Sequence, residues 1–314
     1  MSAVADIVLP VFILIGIGYA LGRSPLLGGD AGIRALTNFV FYAAIPALLF
    51  RLFARGLPEG VTDWSIVFAY YTAAFSHFAL TMAIGRTVFG HRGATLGLMG
   101  MSAGFSNTVL LGLPLVLTGF GEPGMVPLMM IVSFHPMLLI TLPTIVVEVM
   151  RGEPGQGIGR IALSTVNSLL RHPVILGLLA GLLFAQTGLQ LPAILDRVID
   201  LLSQAATPAA LCALGASLTQ FRIAGDLKES LTLVVLKLVA LPAMVWVLAT
   251  FVFRADPLAA HVGTVIAAMP AGVNAFLLAR YYGTYTQRSA SAILIGTACS
   301  LVTVSVLIAL FRTA

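Results

Sequence analysis

The sequence predicts an all-α integral membrane protein with ten transmembrane helices, arranged as two five-helix repeats of inverted topology (5+5). Three observations carry this prediction. Of the 314 residues, 59% are hydrophobic and only 9% are charged, and a mean hydropathy of +1.03 lies outside the range of soluble domains. Apolar windows long enough to cross a hydrocarbon core of about 30 Å recur along the whole chain. Sequence patterns from the first half also return in the second half.

The apolar windows supply the ten predicted spans. No Lys or Arg precedes the first window, which carries Asp6 and leads into no small-residue cleavage site, so we expect it to remain as a span. The windows, numbered spans 1 to 10, cover 5–22, 33–53, 64–89, 94–119, 125–150, 171–187, 199–219, 229–253, 258–282 and 289–311.

Two patterns recur in the same order in both halves. Pro10, followed by Gly18 in span 1, returns 163 residues later as Pro173, followed by Gly181 in span 6. The stretch "AAIPALL", which contains Pro46, returns in span 7 as "AATPAAL". Five spans, an odd number, separate the copies, so the second copy enters the membrane from the opposite side. We expect the glycines to permit close helix contact and the prolines to kink or unwind their helices.

The repeat divides the chain into residues 1–150 and residues 161–314. The polar stretch "RGEPGQGIGR" at 151–160 joins them, and its Pro, glycines and charges are typical of a loop. Lys and Arg near span ends prefer the cytoplasmic side, and this rule places the loop in the cytoplasm. Both termini are then predicted outside the cytoplasm.

The charge rule rests on eleven basic residues against five. The predicted cytoplasmic set is Arg23, Arg34, Arg86, Arg92, Arg151, Arg160, Arg171, Arg222, Lys228, Arg280 and Arg288. The predicted outer set is Arg51, Arg55, Arg197, Arg254 and Arg312.

Spans 4 and 9 contain helix-breaking residues at matching depth. The stretch "SAGFSNTVLLGLPLV" carries Asn107 and Pro114, and "AAMPAGVNAFLLA" carries Pro270 and Asn274. Because proline lacks a backbone donor and glycine tolerates unwinding, we expect both helices to split into halves. Such breaks occur in membranes only where they are buried in protein or line a wet cavity. The sequence therefore predicts that two broken helices cross near the midplane.

A pair of half-helix N-termini at that crossing favours an anion, because each carries unsatisfied N–H groups and a partial positive charge. The asparagine amides add neutral donors and acceptors, neighbouring hydroxyls add further donors, and the prolines are suited to begin the half-helices. The candidate substrate-binding residues are therefore Ser106, Asn107, Thr108, Pro114, Pro270 and Asn274.

Three other polar residues within spans have two interpretations each. Lys237 in span 8 either pairs with a substrate carboxylate or extends its ammonium to the cytoplasmic interface. His77 in span 3 and His135 in span 5 are candidate proton carriers, because imidazole titrates near neutrality. The alternative for each histidine is a hydrogen-bonded packing role.

Several function classes are disfavoured. The pI of 9.6 arises from basic residues spread through short loops, which form no patch for nucleic acid. An intramembrane enzyme would need paired acids, a metal cluster or a nucleophile with its base, and the histidines lack ligand spacing. We therefore predict no enzymatic activity, no metal and no cofactor. The five histidines are His77, His91, His135, His172 and His261.

At these residues the chain resembles the auxin efflux carrier family, which includes plant PIN auxin exporters and bacterial permeases described for malate or malonate. The likeness runs over essentially the whole chain. It is carried by the interruption from Asn107 to Pro114 and by "IPALLF" at 45–50, "TPAALCALGASL" at 207–218 and "MPAGVNAFLLARYYG" at 269–283.

The resemblance implies ten spans with a crossover of spans 4 and 9. It also implies a scaffold of spans 1, 2, 6 and 7, with the remaining spans sliding across it in an elevator-like movement. A homodimer in the lipid bilayer and small organic anions as substrates, such as malate, malonate or auxin-like acids, are implied as well.

Two alternatives stay open. The "SNT" around Asn107 is similar to the sodium-coupled bile-acid symporters, although span 9 offers no acidic residue to hold sodium. A passive anion channel is the other alternative, since broken helices can also line a pore.

Overall fold

The computed structural model describes residues 2–56, 63–151, 171 and 173–313. Within these ranges the secondary structure is helical, with no named strand, in agreement with the all-α prediction. Of the predicted linker at 151–160, residues 152–160 lie outside the described residues.

The helices follow the apolar windows along the chain. The first half contains α1 (Ser2–Arg23), α2 (Asp30–Phe39), α3 (Ile45–Phe53), α4 (Trp64–Thr87), α5 (Ala94–Gly104), α6 (Leu113–Phe120) and α7 (Met125–Arg151). The second half contains α8 (Pro173–Gln186), α9 (Ala193–Leu218), α10 (Leu227–Val235), α11 (Leu241–Val247), α12 (Pro257–Ala267), α13 (Val273–Tyr281) and α14 (Thr286–Thr313).

Among the described residues, seven helical stretches are long and apolar enough to cross a membrane. The other three windows hold shorter apolar helices, Thr108–Phe120, Pro173–Gln186 and Pro257–Ala267. In spans 4 and 9 the helices are short because each window is interrupted, and in span 6 the described helix starts only at Pro173. The protein is thus a multi-pass membrane protein, and the count of ten spans stays a prediction.

Proline shapes three of the helices through a widened turn. The π-helical segments Val40–Ala44, Thr108–Gly112 and Leu236–Ala240 each end two residues before a proline: Pro46, Pro114 and Pro242. A proline ring collides with the carbonyl four residues earlier in a regular α-helix. The wider turn, in which an N–H bonds to the carbonyl five residues back, moves that carbonyl away. The helices therefore continue past these prolines.

Helix α1 packs along α9, and α3 packs along α8, so spans 1 and 2 each pair with a span of the other half. Gly18 makes the first contact possible, since a Cβ there would run into the backbone carbonyl of Cys212. In the second contact, a Cβ at Gly181 would lie 2.7 Å from the carbonyl oxygen of Phe50. Both glycines permit close helix contact, as predicted. Helix α3 also contacts α9, so these four helices form one connected group.

Apart from α2, which packs on α9, the remaining helices form a second group. Helix α4 packs on α5, α5 on α7, α11 on α12, and α10 and α13 on α14. The two groups meet where α1 contacts α6 and α14, and where α9 contacts the π-helical segment Thr108–Gly112. The interruptions of spans 4 and 9 belong to the second group and lie beside this boundary.

Candidate functional site

The interruptions of spans 4 and 9 meet and bond to each other. Ser106 and Ala271 form an isolated antiparallel bridge. The N–H of Asn107 donates to the carbonyl of Pro270 at 2.9 Å, and the N–H of Gly272 donates to the carbonyl of Phe105 at 2.9 Å. A backbone group without a partner is costly away from water, so these bonds make both interruptions tolerable within the membrane. Each broken helix thus provides hydrogen-bond partners for some of the free backbone groups of the other.

Half-helices begin on the far side of each interruption, at Thr108 in span 4 and at Val273 in span 9. The N–H groups of Val109, Leu110, Val273 and Asn274 have no protein acceptor among the described residues. Unpaired N–H groups at a helix N-terminus attract negative charge. The chain therefore presents two sets of backbone donors close to the joint.

All four of these residues line one cavity of about 800 Å³. Asn107 and Asn274 line it too; Asn107 is 8% exposed, whereas Asn274 is exposed. Ser106, Thr108 and His135 complete the predicted residues in its wall. The other predicted residues, Pro114, Pro270, Lys237 and His77, do not line it.

The cavity wall carries an excess of positive charge. Three arginines, Arg34, Arg222 and Arg280, and one carboxylate, Asp30, line it, and the Oδ1 of Asp30 accepts from the Gln220 amide at 3.1 Å. All three arginines belong to the set predicted on the cytoplasmic side. From the sequence they were predicted only to mark the cytoplasmic side. Their shared position at span ends on one side was the signal that could have linked them to the site.

Ser106 is the most connected residue of the joint. Its hydroxyl accepts from the Lys237 ammonium at 2.8 Å and lies 3.3 Å from the Tyr70 hydroxyl. Its N–H donates to His135 Nε2 at 3.2 Å. Since Nε2 accepts, neutral His135 carries its proton on Nδ1, which has no partner among the described residues. Ser106 thus connects the cavity wall to Lys237 behind it.

Lys237 and His77 lie together outside the cavity. Lys237 is 2% exposed and also donates to the Ala267 carbonyl, so its ammonium turns inward and does not extend to the interface. His77 is fully buried, and its Nε2 lies 3.0 Å from the Leu236 carbonyl, which requires the proton on Nε2. Proton carriage by His77 or His135 stays a prediction.

A buried carboxylate at the predicted cytoplasmic ends of spans 8 and 10 was missed. Glu229 is 1% exposed; its Oε1 lies 2.6 Å from His91 Nε2 and accepts from the Tyr285 hydroxyl at 2.6 Å. Its Oε2 lies 2.6 Å from Arg288 Nε. Burial, the hydrogen bond to Glu229 and its charge raise the pKa of Tyr285, so that hydroxyl remains a donor. In the sequence Glu229 is only the first residue of predicted span 8, and nothing near it in the chain indicates its partners.

A second, smaller cavity of about 300 Å³ lies on the predicted outer side. Arg51, Arg55 and Glu122 line it. Arg51 forms an ion pair with Asp200, which also pairs with Arg197 at 3.0 Å. In the part of the chain that the structure describes, no group of three or more His, Cys, Asp or Glu residues is placed to hold a metal ion.

Comparisons with known proteins identify the family of the chain. The family model described as "Membrane transport protein" matches residues 3–308. A protein of Rhizobium meliloti (strain 1021) named "Putative malonate transporter" is 30% identical over 312 residues, which are 99% of this chain and 97% of that protein. The match identifies a transporter rather than an enzyme. The chain therefore belongs to the membrane transport protein family, the family of auxin efflux carrier-like transporters.

Proposed function

We propose that the protein is a secondary transporter of small organic anions such as malate, malonate or auxin-like acids. The observation that carries the proposal is the set of unpaired N–H groups of Val109, Leu110, Val273 and Asn274 in the wall of one cavity. The side-chain amides of Asn107 and Asn274 add donors that a carboxylate accepts. We propose that these groups, with Ser106 and Thr108, form the substrate site.

The charge of the cavity supports an anionic substrate. Three arginines against one aspartate leave a positive wall between the joint and the predicted cytoplasmic side. A cleft lined by one sign of charge raises the local concentration of ligands of the opposite sign. A neutral or cationic substrate would gain nothing from this field.

The position of the cavity supports an elevator-like movement. Its wall combines residues of spans 2, 6 and 7 with residues of spans 4, 5 and 9, so it lies between the two helix groups. We propose that the group of spans 1, 2, 6 and 7 is the scaffold and that the other spans carry the anion across it. Spans 4 and 9 then cross at the joint of Asn107 and Pro270.

The wider arrangement is part of the proposal. Ten spans in two inverted repeats, both termini outside the cytoplasm, a homodimer and a place in the bacterial inner membrane fit the basic-residue asymmetry and the family. The pairing of α1 with α9 and of α3 with α8 is the reciprocal exchange expected of two related halves. The large cavity then opens towards the cytoplasm, and the small one lies on the outer side.

Transport by the purified protein in liposomes tests this proposal. We expect saturable uptake of labelled malonate or malate that is accelerated by the same anion inside the vesicle, because a carrier returns faster when loaded. Fast flux that does not saturate would favour the channel, and strict dependence on sodium would favour the symporter. Vesicles without protein and vesicles with unlabelled competitor are the controls. The absence of any carboxylate flux, from a protein shown to be folded, would contradict the proposal.

A further inference from the structure

Lys237 extends its side-chain amine into the packed interior beside the joint. In the described part of the chain it belongs to no ion pair, and it is 2% exposed. An unpaired charge is expensive to bury unless oxygen atoms or a ligand compensate it. The two oxygen atoms that do so come from both interrupted spans: Ser106 Oγ of span 4 and the Ala267 carbonyl of span 9.

The Ala267 carbonyl is a site of negative partial charge. Ala267 is the last residue of α12, and its carbonyl accepts from no backbone N–H among the described residues. The carbonyl end of a helix carries roughly half a negative charge. The ammonium of Lys237 therefore neutralises the C-terminal end of this half-helix, while the hydroxyl of Tyr70 lies one contact further, beyond Ser106.

We propose that the Lys237 ammonium is a tethered cation in an oxygen-lined monovalent-cation site at the joint of the two broken helices. The carbonyl of Ala267 and the hydroxyl of Ser106 are oxygen donors of the kind that hard cations such as sodium prefer, and the hydroxyl of Tyr70 in turn contacts Ser106. The side chain fills this site permanently, so the protein needs no free cation there. A variant that empties the site without filling it should bind sodium instead.

The tethered ammonium also attracts an anion bound in the cavity, a consequence that rests on the proposed function. Ser106 lines the cavity on one side and accepts from the ammonium on the other, so the charge lies directly behind the cavity wall. A unit charge about 10 Å away, at an effective dielectric constant of about 20, changes the affinity for an anion roughly tenfold. The cavity thus gains a fixed positive charge that requires no coupling ion.

Three variants separate the effect of the Lys237 charge from the effect of the volume that its side chain fills. Lys237→Ala removes the charge and opens room for an ion, whereas Lys237→Gln removes the charge but keeps the room filled. Lys228→Ala is the matched control, because Lys228 is the other lysine of the chain and is exposed. Each purified variant is heated in sodium chloride and in choline chloride of equal ionic strength, without any organic anion. Malonate binding is then measured in both salts.

We expect sodium to raise the melting temperature of Lys237→Ala by roughly 2 to 5 °C and to leave the other three proteins unchanged. Malonate affinity should fall roughly tenfold in Lys237→Gln in both salts, and in Lys237→Ala only in choline. Folding of Lys237→Ala only in sodium would also support the tethered cation. A folded Lys237→Ala with no response to sodium would overturn it.

The sodium experiment can be interpreted even if the proposed function is wrong. If the wild-type protein binds no carboxylate, the sodium effect on Lys237→Ala is still measurable, because that experiment contains no organic anion. If Lys237→Ala folds in neither salt, Lys237→Gln decides: wild-type malonate affinity in that variant would overturn the tethered charge.

Discussion

The N–H of Asn107 donates to the carbonyl of Pro270 at 2.9 Å, which joins the interruption of span 4 to that of span 9. Both partners are backbone atoms, so the joint does not depend on the amide side chain of Asn107. Neither that amide nor the amide of Asn274 has a hydrogen-bond partner among the described residues, while both residues line the cavity. The structural contact and the proposed binding role of Asn107 can therefore be separated by mutation.

The first prediction concerns the close contact between α1 and α9. Gly18→Ala places a Cβ against the backbone carbonyl of Cys212, and overpacking of this kind costs about 1 to 3 kcal/mol. Gly16→Ala is the control on the same helix, since a Cβ there has no neighbour within 4 Å. We expect a lower melting temperature in detergent for Gly18→Ala only. Equal melting temperatures for the two variants would contradict the observed packing.

The second prediction concerns the orientation of the termini and the central loop in the membrane. Reporter domains fused to either terminus should lie outside the cytoplasm, and a reporter in the 151–160 loop should lie inside, because Lys and Arg prefer cytoplasmic loops. Paired reporters that are active on only one side of the membrane measure this directly. A cytoplasmic C-terminus would contradict both the ten-span count and the inverted repeat.

The sequence predicted the helix breaks because their cause is local. Pro270 lacks a backbone donor and the glycines near Asn107 tolerate unwinding, so the sequence itself indicates where spans 4 and 9 can break. The placement of Lys237 could not be predicted in this way. Its partner Ser106 is 131 residues away along the chain, and only the packing of span 8 against the joint brings the two together.

The same limit applies to the charged residues. Glu229 lies 138 residues from His91 and 56 from Tyr285, so no sequence spacing indicates their cluster. Arg34, Arg222 and Arg280 come from three different spans, and only the fold gathers them into one cavity wall. Sequence reasoning located the interruptions but could not determine which distant side chains would meet there.

The Glu229 cluster makes the third prediction. Glu229→Ala leaves His91 and Tyr285 without their shared hydrogen-bond acceptor and Arg288 without its ion-pair partner, and loss of hydrogen bonds to a buried charge costs about 1 to 3 kcal/mol. Glu229→Gln should cost less, because its amide oxygen still accepts one bond. Asp196→Asn is the control, since Asp196 is exposed near the start of α9 and should change stability by a few tenths of a kcal/mol at most.

Thermal unfolding of the three proteins measures the difference. The cluster connects the start of α10, the start of α14 and the segment after α4, all in the second helix group. Its loss should therefore lower the melting temperature of the protein. A Glu229→Ala protein as stable as Asp196→Asn would show that these contacts contribute nothing to the fold.

The last prediction concerns the proposed anion site. If each amide donates a hydrogen bond to the bound anion, Asn107→Ala and Asn274→Ala should each weaken binding by about 1 to 3 kcal/mol, as for hydrogen bonds to charged groups. This corresponds to a loss of affinity of roughly five- to 150-fold, measurable by titration of the purified protein with malonate. The double variant should lose less than the sum, because groups that share one ligand are expected to couple.

The control for these variants must be an amide outside the cavity. Asn38 lines the cavity wall and is unsuitable, whereas Gln190 is exposed between α8 and α9 and does not line it. Gln190→Ala should therefore bind as the wild-type protein does. Because backbone atoms hold the joint, Asn107→Ala should retain the wild-type melting temperature while its affinity falls. Wild-type affinity in folded Asn107→Ala and Asn274→Ala proteins would remove the amides from the site, leaving the unpaired N–H groups of the half-helices as the remaining donors.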